Sequence, residues 1–226
     1  MADRVGVVVF PGSNCEHDVV GAIESLGGTA ELVWHGDRSL HGVDVVVLPG
    51  GFAHGDYLRP GAIARFSPVM EAVTDHAAAG GVVIGICNGF QVLAEAGLLP
   101  GALQKNRGLK FLCRTVELRV ETARSALTTE VPVGTILHVP INHFEGNYTC
   151  SPETLADLRG DERVVFRYVD NPNGSIDDIA GICSTGRNVV GLMPHPERAC
   201  DELTGSADGR PLLRSLLTAG LATRPA

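Results

Sequence analysis

The sequence predicts an α/β protein of the flavodoxin-like, doubly wound kind: a mostly parallel sheet with helices on both faces and an antiparallel extension. Three observations point there. The first hundred residues alternate strand-like apolar runs with helical periods, joined by short glycine-containing turns. Two of those runs, at 5–10 and 82–86, are apolar almost throughout, as strands buried on both faces are. Beyond Lys110 strand-like runs dominate and helices become few, which suits antiparallel neighbours added to the same sheet.

The elements follow in order. Residues 5–10 read as the first strand, and Pro11-Gly12-Ser13-Asn14 as the turn after it. Val19, Val20, Ile23 and Leu26 then recur at helical spacing before Gly27-Gly28 ends the helix. Residues 31–34 and 43–48 are the next strands, and Pro49-Gly50-Gly51 opens a loop. A helix is expected over 62–79, a fourth strand over 82–86 and a short helix from Asn88 to about Ala96. Strands are expected near 111–120, 135–140, 164–169, 179–184 and 188–192, with one helical insert near 152–159 and a closing amphipathic helix near 209–217.

Composition narrows the function. The chain has 226 residues, 44% hydrophobic and 19% charged, a globular balance for a length that buries a full core without staples. Its net charge is −8, with no uninterrupted run of Lys or Arg, and an extended phosphate-backbone binder needs concentrated positive charge, so no nucleic-acid partner is expected. No stretch is long and apolar enough to span a membrane, and no secretory leader is visible, so a cytoplasmic location is expected. The six cysteines (15, 87, 113, 150, 183 and 200) form no C-x-x-C pair, which fits a reducing compartment; no metal site is expected. Neither a P-loop nor a dinucleotide fingerprint is present, so no nucleotide site is expected in this chain.

The sharpest local signal is Gly85-Ile86-Cys87-Asn88-Gly89, directly after a buried strand and directly before a helix. A tight elbow of this kind lifts a nucleophile above the sheet, and it needs glycine where strand and helix backbones approach. The helix N-terminus would favour a thiolate at Cys87, and the Asn88 amide is a natural donor to an oxyanion. The plainer reading is a buried cysteine in a glycine-flanked turn. A second signal is Met193-Pro194-His195-Pro196-Glu197-Arg198. Two prolines keep this stretch extended, so His195 and Glu197 project to the same side and a carboxylate can fix an imidazole. Taken with Cys87 this is a candidate Cys-His-Glu triad; taken alone it is a solvated turn. Pro49-Gly50-Gly51-Phe52, again just after a strand, can aim a second amide at the same oxyanion or be an ordinary strand-exit turn. His143, two residues from Glu145, is a candidate substrate-loop residue. The remaining histidines lack ligand-like spacing.

G-I-C-N-G-F-Q, P-G-G-F and M-P-H-P-E-R together resemble the class I, triad-type glutamine amidotransferases. The longer strings PGSNC at 11–15, PGGFAHGDYLRPGAIAR at 49–65 and HPERACDELTGSADG at 195–209 are similar to the glutaminase subunits of phosphoribosylformylglycinamidine synthases. The similarity runs over essentially the whole chain, implying a single amidotransferase domain over 1–226. It implies Cys87 as nucleophile, His195 as acid–base and Glu197 as its orienting partner. Gly51 or Phe52 would supply oxyanion amides together with Asn88, and Gln91 would help hold L-glutamine. The family's H-G-E-G motif stands here as His143-Phe144-Glu145-Gly146, a departure at the second position. The resemblance also implies ammonia delivery to a large ATP-dependent synthase subunit of de novo purine synthesis, with a small accessory subunit. No cofactor is expected in this chain; ATP and Mg are expected on the synthase subunit. Arg59, Arg65 and the 201–209 loop are candidate docking elements, although intramolecular ion pairs compete for the arginines. Two other readings remain: a cysteine hydrolase or protease of a related flavodoxin-like family, in which the elbow cysteine is usually followed by His, and a scaffold subunit without catalysis.

Overall fold

A computed structural model describes residues 4–222, so the expected domain bounds include seven terminal residues outside the described range. Nine strands form one sheet in the order β2 (Thr29–Trp34), β1 (Arg4–Val9), β3 (Val45–Leu48), β4 (Val82–Ile86), β11 (Val189–Leu192), β10 (Ile179–Cys183), β9 (Val164–Tyr168), β6 (Leu112–Val120), β7 (Ile136–His143). The first five run parallel, pairing for example Val7 with Leu32 and Gly191 with Gly85. The last four are antiparallel to their neighbours. A parallel core extended at one edge is therefore the architecture, as the sequence pattern predicts.

Burial explains the patterning. Every residue of β3, β4 and β11 is buried, which is why their sequences carry no polar alternation. β6 alternates exposed and buried positions over its second half, as a half-solvated antiparallel strand does. Among the described residues there are five α-helices: α1 (Glu16–Ser25), α2 (Val69–Ala78), α3 (Asn88–Glu95), α4 (Pro152–Gly160) and α5 (Arg210–Ala222).

Three expectations need correction. The helix expected over 62–79 is a 3₁₀ turn at Ala64–Phe66 followed by α2. Pro68 has no N–H to donate and pushes Ser67 into an extended conformation (φ −63°, ψ 140°), so the helix restarts after it. The strand expected to end at Pro140 continues to His143. Pro140 is tolerated because β7 is the edge strand of the sheet. A separate antiparallel pair, β5 (Ala102–Gln104) with β8 (Asn147–Thr149), is absent from the sequence pattern, since three-residue strands leave no alternation to read.

Parallel strand order places function at the carboxyl edge of the sheet. There lie the turns after β1 and β3, the elbow after β4 and the His195 segment after β11.

Candidate active site

Cys87 sits between β4 and α3 with φ 51° and ψ −105°, a left-handed-side conformation that a residue with a side chain adopts only when its surroundings enforce it. The enforcing contacts are close. A Cβ on Gly89 would lie 1.9 Å from the carbonyl oxygen of Leu48, and one on Gly85 would lie 2.6 Å from the Gly89 backbone. Glycine at both positions is what allows α3 to press down on β3 and β4, as the motif predicts. Only 4% of Cys87 is exposed, but it opens onto a cavity of about 200 Å³ lined also by Gly51, Phe52, Asp56, Gln91, His143 and Glu145. Its thiol points at the carbonyl of Asn142 at 3.7 Å. A wider groove of about 1160 Å³ on another face reaches Glu197 and Arg198 but not Cys87.

His195 and Glu197 are brought together, but not by the extended segment expected: Pro196 opens a 3₁₀ turn, Pro196–Arg198, and His195 (φ −107°, ψ 85°) stands at its start. Nδ1 of His195 lies 2.6 Å from Oε1 of Glu197, and both side chains are buried. The backbone N–H of His195 donates to the carbonyl of Pro140 at 2.9 Å, so β7 fixes the segment from the other side. With Nδ1 committed, Nε2 is buried without a hydrogen-bond partner, and the Cys87 sulfur stands beside the same ring. Burial alone would depress the His195 pKa. The Glu197 carboxylate, aided by the sulfurs of Cys87 and Cys15, outweighs burial and holds it well above the ordinary imidazole value.

Cys15 is a neighbour the sequence does not disclose. Its sulfur, the ring of His195 and a carboxylate oxygen of Glu197 lie within 4.8 Å of one another, and Arg198 Nη2 donates to the sulfur at 3.3 Å. Its only signal is its place in the PGSNC turn at the carboxyl end of β1.

The loop after β3 places the two candidate oxyanion residues differently. The Phe52 N–H donates to the Gly12 carbonyl at 2.8 Å and is engaged there. The Gly50 carbonyl accepts from the amides of Asn14 and Cys15, both at 3.2 Å. In a trans peptide the next N–H points the opposite way, which leaves the Gly51 amide turned from that turn, in a residue that lines the Cys87 cavity. Gly51 has φ 140°, and a Cβ there would strike the Asn14 amide at 2.6 Å. Asn88 occupies the first turn of α3, where backbone N–H groups have no helical acceptor.

Asn88 also does something the motif does not predict. Its Oδ1 accepts from the Ala53 N–H at 3.0 Å, and its Nδ2 donates to Asp56 and Gln91 at 3.1 and 2.9 Å. The elbow helix thus anchors the loop after β3. Gln91 donates onward to the carbonyl of Glu145 at 2.5 Å, so both ends of its amide are engaged. Asp56, unremarked in the sequence, borders the cavity. Burial and the nearby Glu145 carboxylate push its pKa up to about 6, against a hydrogen bond from Asn88 that lowers it. His143 is buried with Nδ1 on Asn106 at 3.1 Å; burial and His195 push its pKa down to about 4, so the ring is neutral. Arg59 is bidentate to Glu95, with both contacts 2.6 Å, and Arg65 donates to the Glu95 carbonyl, so both candidate docking arginines are held within the chain.

A strained elbow cysteine facing a carboxylate-fixed histidine, at the carboxyl edge of a parallel sheet, defines a cysteine-dependent acyl-transfer protein. The family model for the CobB/CobQ-like glutamine amidotransferase domain matches residues 2–210, and the chain belongs to the glutamine amidotransferases, within them to the PurQ subunits of purine biosynthesis. It is 59% identical over 214 residues to phosphoribosylformylglycinamidine synthase subunit PurQ of Rubrobacter xylanophilus, covering 95% of this chain and 97% of that one. The PurQ of Cereibacter sphaeroides is 59% identical over 215 residues, with the same coverage. A chain in the structure of PurLQS from Thermotoga maritima superposes with a TM-score of 0.90 at 42% identity, covering 96% of this chain and 99% of that chain. A Thermoplasma acidophilum protein described as a putative GMP synthase component, at 19% identity and a TM-score of 0.71, shares the fold. These findings agree with the resemblance read from the motifs and set aside the protease alternative.

Proposed function

We propose that the chain hydrolyses L-glutamine to glutamate and ammonia through a γ-glutamyl thioester on Cys87, and passes the ammonia to an ATP-dependent synthase subunit. The observation that carries this is the buried His195–Glu197 pair, 2.6 Å apart, beside a strained cysteine that opens onto a small cavity. The Cys87 thiolate, whose proton rests on the charged His195, attacks the side-chain amide carbon. The Gly51 and Asn88 amides stabilise the resulting oxyanion, a donor of this kind being worth on the order of 10² to 10³ in rate. His195 then returns the proton to the departing nitrogen, and ammonia leaves. Water attacks the thioester as His195 takes and keeps its proton, the sulfur leaves as thiolate, and glutamate departs. Glu197 holds the imidazole in place and offsets its positive charge.

Substrate selection follows from the cavity. The Glu145 carboxylate is close enough to disfavour charge on Asp56, and an α-ammonium group seated beside Asp56 would relieve that repulsion. Gln91, engaged at both ends, keeps the cavity wall rigid. His143, neutral and buried, forms part of the cavity wall as a positioning residue.

Ammonia is useful to a ligase only before water protonates it, so it must pass directly to the chain that activates the acceptor. The relative of known structure is described as part of PurLQS. By analogy the partners are a large synthase subunit, where ATP and Mg would bind, and a small accessory subunit, assembled in the cytoplasm. In the reconstituted complex, Cys87→Ala should abolish glutamine-dependent synthesis and leave ammonia-dependent synthesis intact. Surviving glutamine-dependent turnover would overturn the reading.

A further inference from the structure

We propose that the basic loop at 105–110 is the docking surface for an acidic protein partner, the subunit that receives the ammonia; this rests on the reading that ammonia is handed on. The chain's two lysines, Lys105 and Lys110, both lie here and bracket Arg107. With Arg114 they place four cations between 105 and 114, a stretch without a carboxylate, in a chain of net charge −8.

All four cations are exposed, and among the described residues none forms an ion pair. The Lys105 ammonium lies 5.9 Å from the centre of the Phe144 ring. Cations elsewhere are commonly paired, Arg59 with Glu95 and both Arg159 and Arg167 with Asp177. Like charges left this close repel one another, and an acidic counter-surface removes that repulsion. Leu109 and Phe111 stand among them at 68% and 47% exposure, giving the patch the apolar content of a protein contact. The acidic remainder of the chain would repel a nucleic-acid backbone running past the loop.

The loop is also built into the rim of the cavity. Asn106, 1% exposed, donates through Nδ2 to the carbonyls of Lys110 and His143 at 2.9 and 3.0 Å. Its Oδ1 accepts from the Gly146 amide at 3.1 Å, and its own amide donates to the Phe144 carbonyl at 2.9 Å. The same 142–146 segment carries the carbonyls that Cys87 and Gln91 contact. A partner seated on this loop therefore lies against the segment that walls the cavity. Exposed Phe52 lines the same cavity, and Tyr57 and Leu58, a little further along the chain, are exposed as well.

The test is the triple variant Lys105→Glu, Arg107→Glu, Lys110→Glu, compared with the wild type for binding to the purified synthase and accessory subunits at low and high ionic strength. The expected result is affinity weakened about tenfold or more, mostly through slower association, with the salt dependence of wild-type binding largely lost. Labelling of Cys87 by a glutamine-analogue electrophile in the isolated variant should match the wild type, since none of the three residues borders the cavity. Unchanged binding with unchanged salt dependence would overturn the proposal. So would intact subunit binding combined with lost binding of inorganic phosphate by the isolated chain, which would assign the loop to a small anion. Failure of the glutaminase reading is separate, because it appears in Cys87→Ala and leaves subunit binding untouched.

Discussion

Nδ1 of His195 donates to Oε1 of Glu197 across 2.6 Å, in a place where His195 is 1% and Glu197 5% exposed. The pair stabilises the charged imidazole against burial, so it governs both the acid–base step and part of the stability. Glu197→Gln keeps the shape and removes the charge. The expected loss in glutamine-dependent kcat is on the order of 10² to 10⁴, with the pH–rate limb assigned to His195 moving to lower pH. Because the folded-state pKa is raised above 6.5, this stabilisation is complete below that pH and fades as pH climbs through the folded value. Urea melts should show the variant's deficit to be larger in mild acid than in alkali.

His143 works in the opposite sense. Its pKa is about 4 when folded against 6.5 for the free side chain, so the unfolded chain binds the extra proton between those values. Its contribution is lost as pH falls from about 6.5 towards 4, by up to roughly 3 kcal/mol. His143→Gln should flatten the acid limb of a stability–pH curve measured by chemical denaturation. A limb unchanged by the substitution would place the acid sensitivity elsewhere.

Asp56 predicts a pH effect on substrate binding. Its carboxyl titrates near 6, so KM for glutamine should rise as pH drops through that value while kcat moves little. Asp56→Asn should raise KM about 10- to 100-fold, the worth of a hydrogen bond to a charged group, and remove the pH dependence. Steady-state kinetics of the complex from mild acid to neutrality measure both.

Two glycine substitutions should have opposite signs. Gly89→Ala drives a Cβ to within 1.9 Å of the Leu48 carbonyl, backbone that cannot step aside, and should cost about 3 kcal/mol or more. Gly21→Ala, inside α1 with open space around it, should stabilise by up to about 1 kcal/mol. Thermal melts of the two variants compare them directly.

Much of this is legible in the sequence, for local reasons. β4 and α3 are readable because an apolar run, two glycines and a helical period stand next to one another; the His195–Glu197 pairing is foreseen but its backbone is not, since Pro196 starts a 3₁₀ turn where an extended segment is expected. Ser67-Pro68 also carries its signal, and reading through it merges a 3₁₀ turn with α2. Cys15 and Asp56 are invisible for another reason. Each reaches the site only because turns after different strands converge at one edge of the sheet, and nothing near either residue encodes that approach. Choosing Gly51 over Phe52 requires knowing which amide Gly12 engages, a contact between two loops.

The most direct measurement is covalent labelling of the complex with a diazoketone analogue of glutamine, followed by peptide mass mapping. A single equivalent of label is expected on Cys87, blocked by L-glutamine and absent in Cys87→Ala. Label on Cys15 or another cysteine in place of Cys87, or modification that glutamine does not suppress, would contradict it.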